Sequence, residues 1–304
     1  MAKRDIEGEI ERLSALRQAP AAEASAALRK ALGDRANLVA ARAARVAGEL
    51  QLRELIPDLV GAFERLLEKG AERDPQCWGK NAIAKALVEL DYRDSAAFLR
   101  GAGYVQMEAV WGRQEDMAQN LRGICLLALA AATDISRGEI LRRVVDGLCD
   151  PAATVRVEAL RALAHLEGDE CALVVRLKAR MGDEEPPVTG QAFDSLLALE
   201  GAGAIPFVRE FFENGAMETR AEAALALGSS RLPGTAALLR EAIERGAAGE
   251  LRGVMFRALG LSRDEAAIDY LRSVAEGGQP GDAAAAKEAL ALCATPSLPA
   301  PPSR

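Results

Sequence analysis

The stretch that decides the fold is Asp150-Pro151-Ala152-Ala153-Thr154-Val155-Arg156-Val157-Glu158-Ala159-Leu160-Arg161-Ala162-Leu163. An aspartate followed by proline starts a helix well, because the carboxylate accepts a first-turn N–H and the proline needs none. Val155, Ala159, Ala162 and Leu163 then fall on one helical face. With Ala159 as anchor, the same small or apolar grouping recurs as Ala192/Ser195/Leu196, Ala221/Ala224/Leu225 and Met255/Ala258/Leu259. Looser copies are anchored at Ala43, Ala82 and Leu121, and a degenerate one at Lys287 places a charge where a terminal unit faces solvent. The period is about 30 to 40 residues, which is the length of a helical hairpin that buries its face on its neighbours.

The returning helices carry their own marks. Pro57, Pro206 and Pro233 fall at first-turn positions. Their apolar faces read Ile56/Leu59/Val60/Phe63, Ile140/Leu141/Val144/Leu148, Leu173/Val174/Leu177/Met181, Leu238/Leu239/Ala242/Ile243 and Ile268/Leu271/Val274.

Composition agrees. Of 304 residues 62 are alanine, half are apolar and only 4% are aromatic, so packing proceeds through small side chains and close backbones in a helical chain. A β-sandwich or barrel is excluded. The single histidine, His165, removes two-histidine metal motifs, and five cysteines without a CxxC pair suggest neither a zinc knuckle nor a disulfide framework. No metal or cofactor is expected. A net charge of −7 argues against nucleic acid as a partner, and no run reaches a membrane span, so a cytoplasmic chain without membrane insertion is expected.

The pattern Asp-Pro-x-x-x-Val-Arg-x-x-Ala-x-x-Ala-Leu resembles the HEAT repeat, in the short bacterial form also found in phycobilin lyases. The resemblance is specific over 150–276, looser over 34–132 and absent from 1–33 and the tail. It implies an all-α, right-handed solenoid of about eight helical hairpins, with a concave face lined by second helices. Expected domains are an N-terminal helical cap (1–33), the repeat solenoid (34–292) and a disordered proline-rich tail (293–304). The resemblance implies no single activity. Most such proteins bind other proteins, and a minority are lyases, chaperones of chromophore attachment or DNA glycosylases. With no catalytic constellation visible, the expectation is a non-enzymatic scaffold or adaptor for another protein. The alternative is a small-ligand-binding or lyase/chaperone-like protein with a site under the loop 101–113.

Two groups of residues are candidates for that binding. Arg100, Arg142, Arg176, Arg209, Arg240 and Arg272 each follow an apolar pair in a second helix and recur with the repeat. A guanidinium ladder could grip carboxylates or phosphates. Equally, Asp146, Glu213, Glu244 and Glu276 stand four residues after Arg142, Arg209, Arg240 and Arg272, which is intrahelical pair spacing. The second group is the 13-residue segment 101–113, long for a connection between packed helices, with Tyr104, Gln106, Met107, Glu108, Trp111 and Arg113. These types populate binding hot spots. The competing reading is an insertion folded back so that Trp111 and Met107 plug an alanine-lined groove.

Overall fold

The structure, a computed structural model, describes residues 5–246 and 249–294. The fold is all-α, and the chain divides into two compact units, one ending at Leu166 and the other starting at Glu167. Only one short β-hairpin interrupts the helices among the described residues.

In the first unit, α1 (Ile6–Ala15) and α2 (Ala21–Leu32) flank a break at Ala19-Pro20, and both pack on α3 (Asn37–Glu49). The hairpins follow: α3 returns through α4 (Ile56–Lys69), α5 (Trp78–Glu89) through α6 (Ser95–Ala102), and α7 (Gln119–Leu129) through α8 (Arg137–Gly147). Helix α9 (Ala153–Leu166) closes the unit. First helices stack in the order α3, α5, α7, α9. Between α6 and α7, β1 (Met107–Val110) pairs antiparallel with β2 (Arg113–Asp116).

In the second unit, α10 (Asp169–Met181) packs on α11 (Pro186–Glu200), which returns through α12 (Ile205–Asn214). Helix α13 (Met217–Ser230) pairs with α14 (Thr235–Glu244), α15 (Glu250–Ser262) with α16 (Glu265–Gly277), and α17 (Pro280–Ala294) packs on both α15 and α16. Here α11, α13, α15 and α17 stack. The tail from Thr295 lies outside the described residues. Among those described, no helix is long and apolar enough to cross a membrane.

Burial corrects the register of several copies. The grouping that Ala159, Ala162 and Leu163 define is filled by Ile83, Ala86 and Leu87 in α5, by Cys125, Ala128 and Leu129 in α7, and by Ala223, Ala226 and Leu227 in α13, all buried. The anchors at Ala82, Leu121 and Ala221 are therefore displaced by one, four and two positions, and Lys287 yields to buried Ala286. Alanine-rich helices offer several apolar stripes, and only packing selects one. The same ambiguity misplaced the inner face of α10. Leu173, Leu177 and Met181 are exposed, whereas Cys171, Ala172, Val175 and Ala179 are buried. Pro233 also lies ahead of α14 rather than in its first turn, unlike Pro57 and Pro206.

In this register, nine residues before each anchor stand Asp34, Asp74, Asp116, Asp150 and Asp183, then Asn214, Gly246 and Gly277. Four of the aspartates accept the N–H two residues ahead, at Ala36, Ala118, Ala152 and Glu185, in the turn that launches the helix. Six residues after Asp74, Asp116, Asp150, Asn214 and Gly246 stand Lys80, Arg122, Arg156, Arg220 and Arg252.

Small residues bring first helices together. A Cβ on Gly228 would lie 2.2 Å from the carbonyl oxygen of Ala258, and one on Gly260 2.5 Å from that of Ala289. Backbone atoms cannot swing aside as a side chain does. Gly228→Ala is therefore expected to destabilise the second unit by about 1–3 kcal/mol, read from its urea midpoint at unchanged m-value.

Candidate functional site

The site grows from a buried cation. Lys80, in the first turn of α5, has a side chain of 0% exposure and pairs with an equally buried Asp74 at 3.2 Å. Its ammonium also donates to Gln106 Oε1 at 3.0 Å and to the Asp74 carbonyl at 3.5 Å, and stands 5.4 Å from the Tyr104 ring centre. Asp74 is saturated in turn, accepting from the Gly79 and Lys80 N–H groups and from Asn37 Nδ2. A buried charge is tolerable only with such full compensation.

Through Gln106 this cluster holds the segment between α6 and α7. Gln106 Nε2 donates to the Asp74 carbonyl at 3.0 Å and to Glu108 at 2.6 Å, and Tyr104 donates to Gln106 Oε1 at 3.1 Å. Glu108 accepts the N–H of Gln76 at 2.7 Å. Gln76 and Cys77 both adopt left-handed backbone, φ 58° and 55°, a conformation that costs most residues about 1 kcal/mol and persists here because neighbours hold both ends. Burial pushes the Cys77 thiol up to about 12, so it stays protonated.

A second cation ties the base of the β-hairpin to the next repeat. Arg122, at 5% exposure, donates to both oxygens of Asp150 at 2.8 and 2.9 Å, to the Tyr104 carbonyl at 3.1 Å and to Asp116. Asp116 Oδ1 also accepts the N–H groups of Gln106 and Ala118. Burial works to raise the Asp116 carboxyl, but the Ala118 N–H, Arg122 and the Gln106 N–H outweigh it and hold it below the usual carboxylate range.

Above Arg122 opens a cavity of about 780 Å³, within the range of small-molecule sites. Leu99, Val105, Met107, Leu126 and Pro151 supply apolar wall, and Val105 and Met107 are more than half exposed into open space. Its charged lining is Glu115, Asp116, Asp146 and Asp150 against Arg122 and Arg143. Asp116 and Asp150 are committed to Arg122, and Arg143 to Glu139. The carboxylates of Glu115 and Asp146 have no partner among the described residues.

The structure brings Tyr104, Gln106 and Glu108 together at Lys80, places Met107 on the cavity wall, and leaves Trp111 and Arg113 apart. Trp111 is 100% exposed at the hairpin tip, where it and Gly112 have φ of 49° and 80°, so it plugs no groove. This left-handed pair is the geometry a two-residue turn needs to match strand twist. Met107 lines the cavity instead of filling it. Of the six arginines, Arg100 meets Glu64, Arg142 meets Glu139, and Arg176 meets Glu200 while lying 4.7 Å from the Phe207 ring. Arg209 and Arg240 take Glu213 and Glu244 four residues on, whereas Arg272 takes Asp269 rather than Glu276. Lys80, Asp74, Arg122 and Asp116 were missed as site residues. The signal was present, because Asp74-Pro75 with Lys80 repeats the spacing of Asp150-Pro151 with Arg156.

No family model matches the chain, and no curated protein matches it. Among solved structures it is similar to human deoxyhypusine hydroxylase in complex with glycerol, at 17% identity over 96% of this chain and 91% of that one, with a TM-score of 0.32. That protein is an enzyme. The expectation of a non-enzymatic scaffold or adaptor is corrected on this finding and withdrawn. So distant a likeness carries no reaction, substrate or residue to this chain.

Lys80→Ala, which leaves Asp74 buried without its counter-charge, is expected to cost about 3–5 kcal/mol in urea unfolding. It should also speed amide exchange in the β-hairpin. Asp116→Asn is expected to lower stability at neutral pH. Because the folded carboxyl lies below its unfolded value, the wild type loses this contribution as pH falls through the folded value, so the gap should close in acid. Melting temperatures of the two proteins across that range provide the check.

Proposed function

We propose that this chain is a HEAT-like repeat protein, of the bacterial form resembling phycobilin lyases, and that its first unit binds a small organic cation with an apolar body. The observation that carries this reading is the cavity beside β1 and β2: apolar walls, a floor immobilised by Arg122, and two uncommitted carboxylates, Glu115 and Asp146. An apolar group entering such a space removes exposed Val105 and Met107 from water. A protonated amine then meets carboxylates that no internal cation neutralises, and a charge-assisted hydrogen bond contributes more than a neutral one.

The floor favours recognition over collapse. Arg122 at its base is already bonded to Asp150 and the Tyr104 carbonyl, so a ligand displaces water without breaking that network. The pairing of Arg142 with Glu139 leaves Asp146 free to face the cavity, which the spacing of Arg142 and Asp146 in sequence would not suggest.

Calorimetric titration with hexylamine, hexanol and hexanoate tests the reading. Hexylamine is expected to bind in a saturable manner and about tenfold or more tighter than hexanol, with hexanoate weakest. In the Glu115→Gln, Asp146→Asn double variant the amine should fall to the level of the alcohol. Equal binding of all three, or an unchanged amine preference in the variant, would contradict the proposal.

A further inference from the structure

The second unit contains a first-helix arginine, Arg220, that lacks the carboxylate its counterparts hold. In the first unit Arg122 donates to a backbone carbonyl behind it, that of Tyr104, and grips Asp150, the aspartate that launches the next first helix. In the second unit Arg252 donates to the Ile243 carbonyl and grips Asp282 through two nitrogens, each at 2.7 Å. Arg220 occupies the same place in α13 and also donates to a carbonyl behind it, here through Nε, to that of Phe212 at 3.0 Å. Here neither equivalent position carries an acid, and Glu250, 30 residues on, makes no bond to Arg220. The position equivalent to Asp150 is Gly246, and the position equivalent to Asp282 is the buried Leu251.

The half-buried Arg220 guanidinium therefore keeps both terminal nitrogens without a protein partner among the described residues. It borders a cavity of about 250 Å³ that Arg209, Arg245, Glu213, Phe212 and Met255 also line. Arg209 bonds Glu213 through Nε, and Arg245 bonds Glu241 beside the cavity. Three guanidinium groups against the two carboxylates of Glu213 and Glu241 leave the charge of Arg220 uncompensated in a chain whose net charge is −7.

We infer that this cavity is an oxyanion site that takes the phosphate group of a small phosphomonoester, which supplies from outside the acid that Arg220 lacks. The guanidinium edge offers two parallel N–H donors matched to two oxygens of one anion. The three outer oxygens of a phosphate can meet the Arg220 edge in pairs and still reach a second guanidinium, which the two oxygens of a monocarboxylate cannot. A phosphate with a small body attached fits a cavity of this volume.

The test uses the full chain and inorganic phosphate as probe, titrated calorimetrically against acetate at matched ionic strength, so that non-specific salt effects cancel. Saturable phosphate binding is expected, at least about tenfold tighter than acetate, and about tenfold weaker in Arg220→Gln and in Arg245→Gln. Arg245 is exposed and holds no other element in place, so Arg245→Gln should melt like wild type and decides the matter if Arg220→Gln does not fold. Absence of saturable phosphate binding, acetate binding as tight as phosphate, or unaltered binding in Arg245→Gln would overturn the inference.

Discussion

A basic side chain buried in the first turn of a first helix is the interaction on which the rest of the structure turns. Lys80 and Arg122 both occupy that place. Desolvating a charge is so costly that it is stable only where every donor has an acceptor in the right position. Each cation therefore dictates the geometry around it. Lys80 requires Asp74 and Gln106, and Arg122 requires Asp116, Asp150 and the Tyr104 carbonyl. Those acceptors belong to different elements of the first unit, so satisfying two side chains aligns α5, α7, the start of α9 and the β-hairpin.

The apolar packing serves the same end. Close approach of first helices, made possible by glycine and alanine, brings the launching turn of one repeat within reach of the preceding cation. With a bulkier residue at Gly260 the helices would stand farther apart and the link from Arg252 to Asp282 could not close. The cavities arise where this scheme is interrupted. The segment between α6 and α7 opens one beside Arg122, and the absence of an acid at Gly246 leaves another beside Arg220. Both candidate sites are thus local departures from a repeating rule.

Much of this was legible before any coordinates. Asp150-Pro151 with its helical stripe, the recurrence of small-residue groupings and the scarcity of aromatics sufficed for an all-α repeat fold. Segment 101–113 stood out by its length, and Tyr104, Gln106 and Glu108 meet at Lys80 while Met107 lines the cavity. The register did not follow, because in α7 and α13 more than one apolar stripe fits the pattern, and in α10 the bulkier stripe lies outside. Nor did the ion-pair choices follow. Arg142 and Arg272 have acids on both sides along their helices, and small rotamer differences select between them.

Local chemistry written in the chain thus determined the helices, their starts and their repeat length, since capping, proline placement and periodicity act over a few residues. Tertiary structure alone decided which stripe is buried, which cation meets which acid, and where space remains. These outcomes depend on distances between residues about thirty positions apart, and such distances are set by how closely two helices can approach.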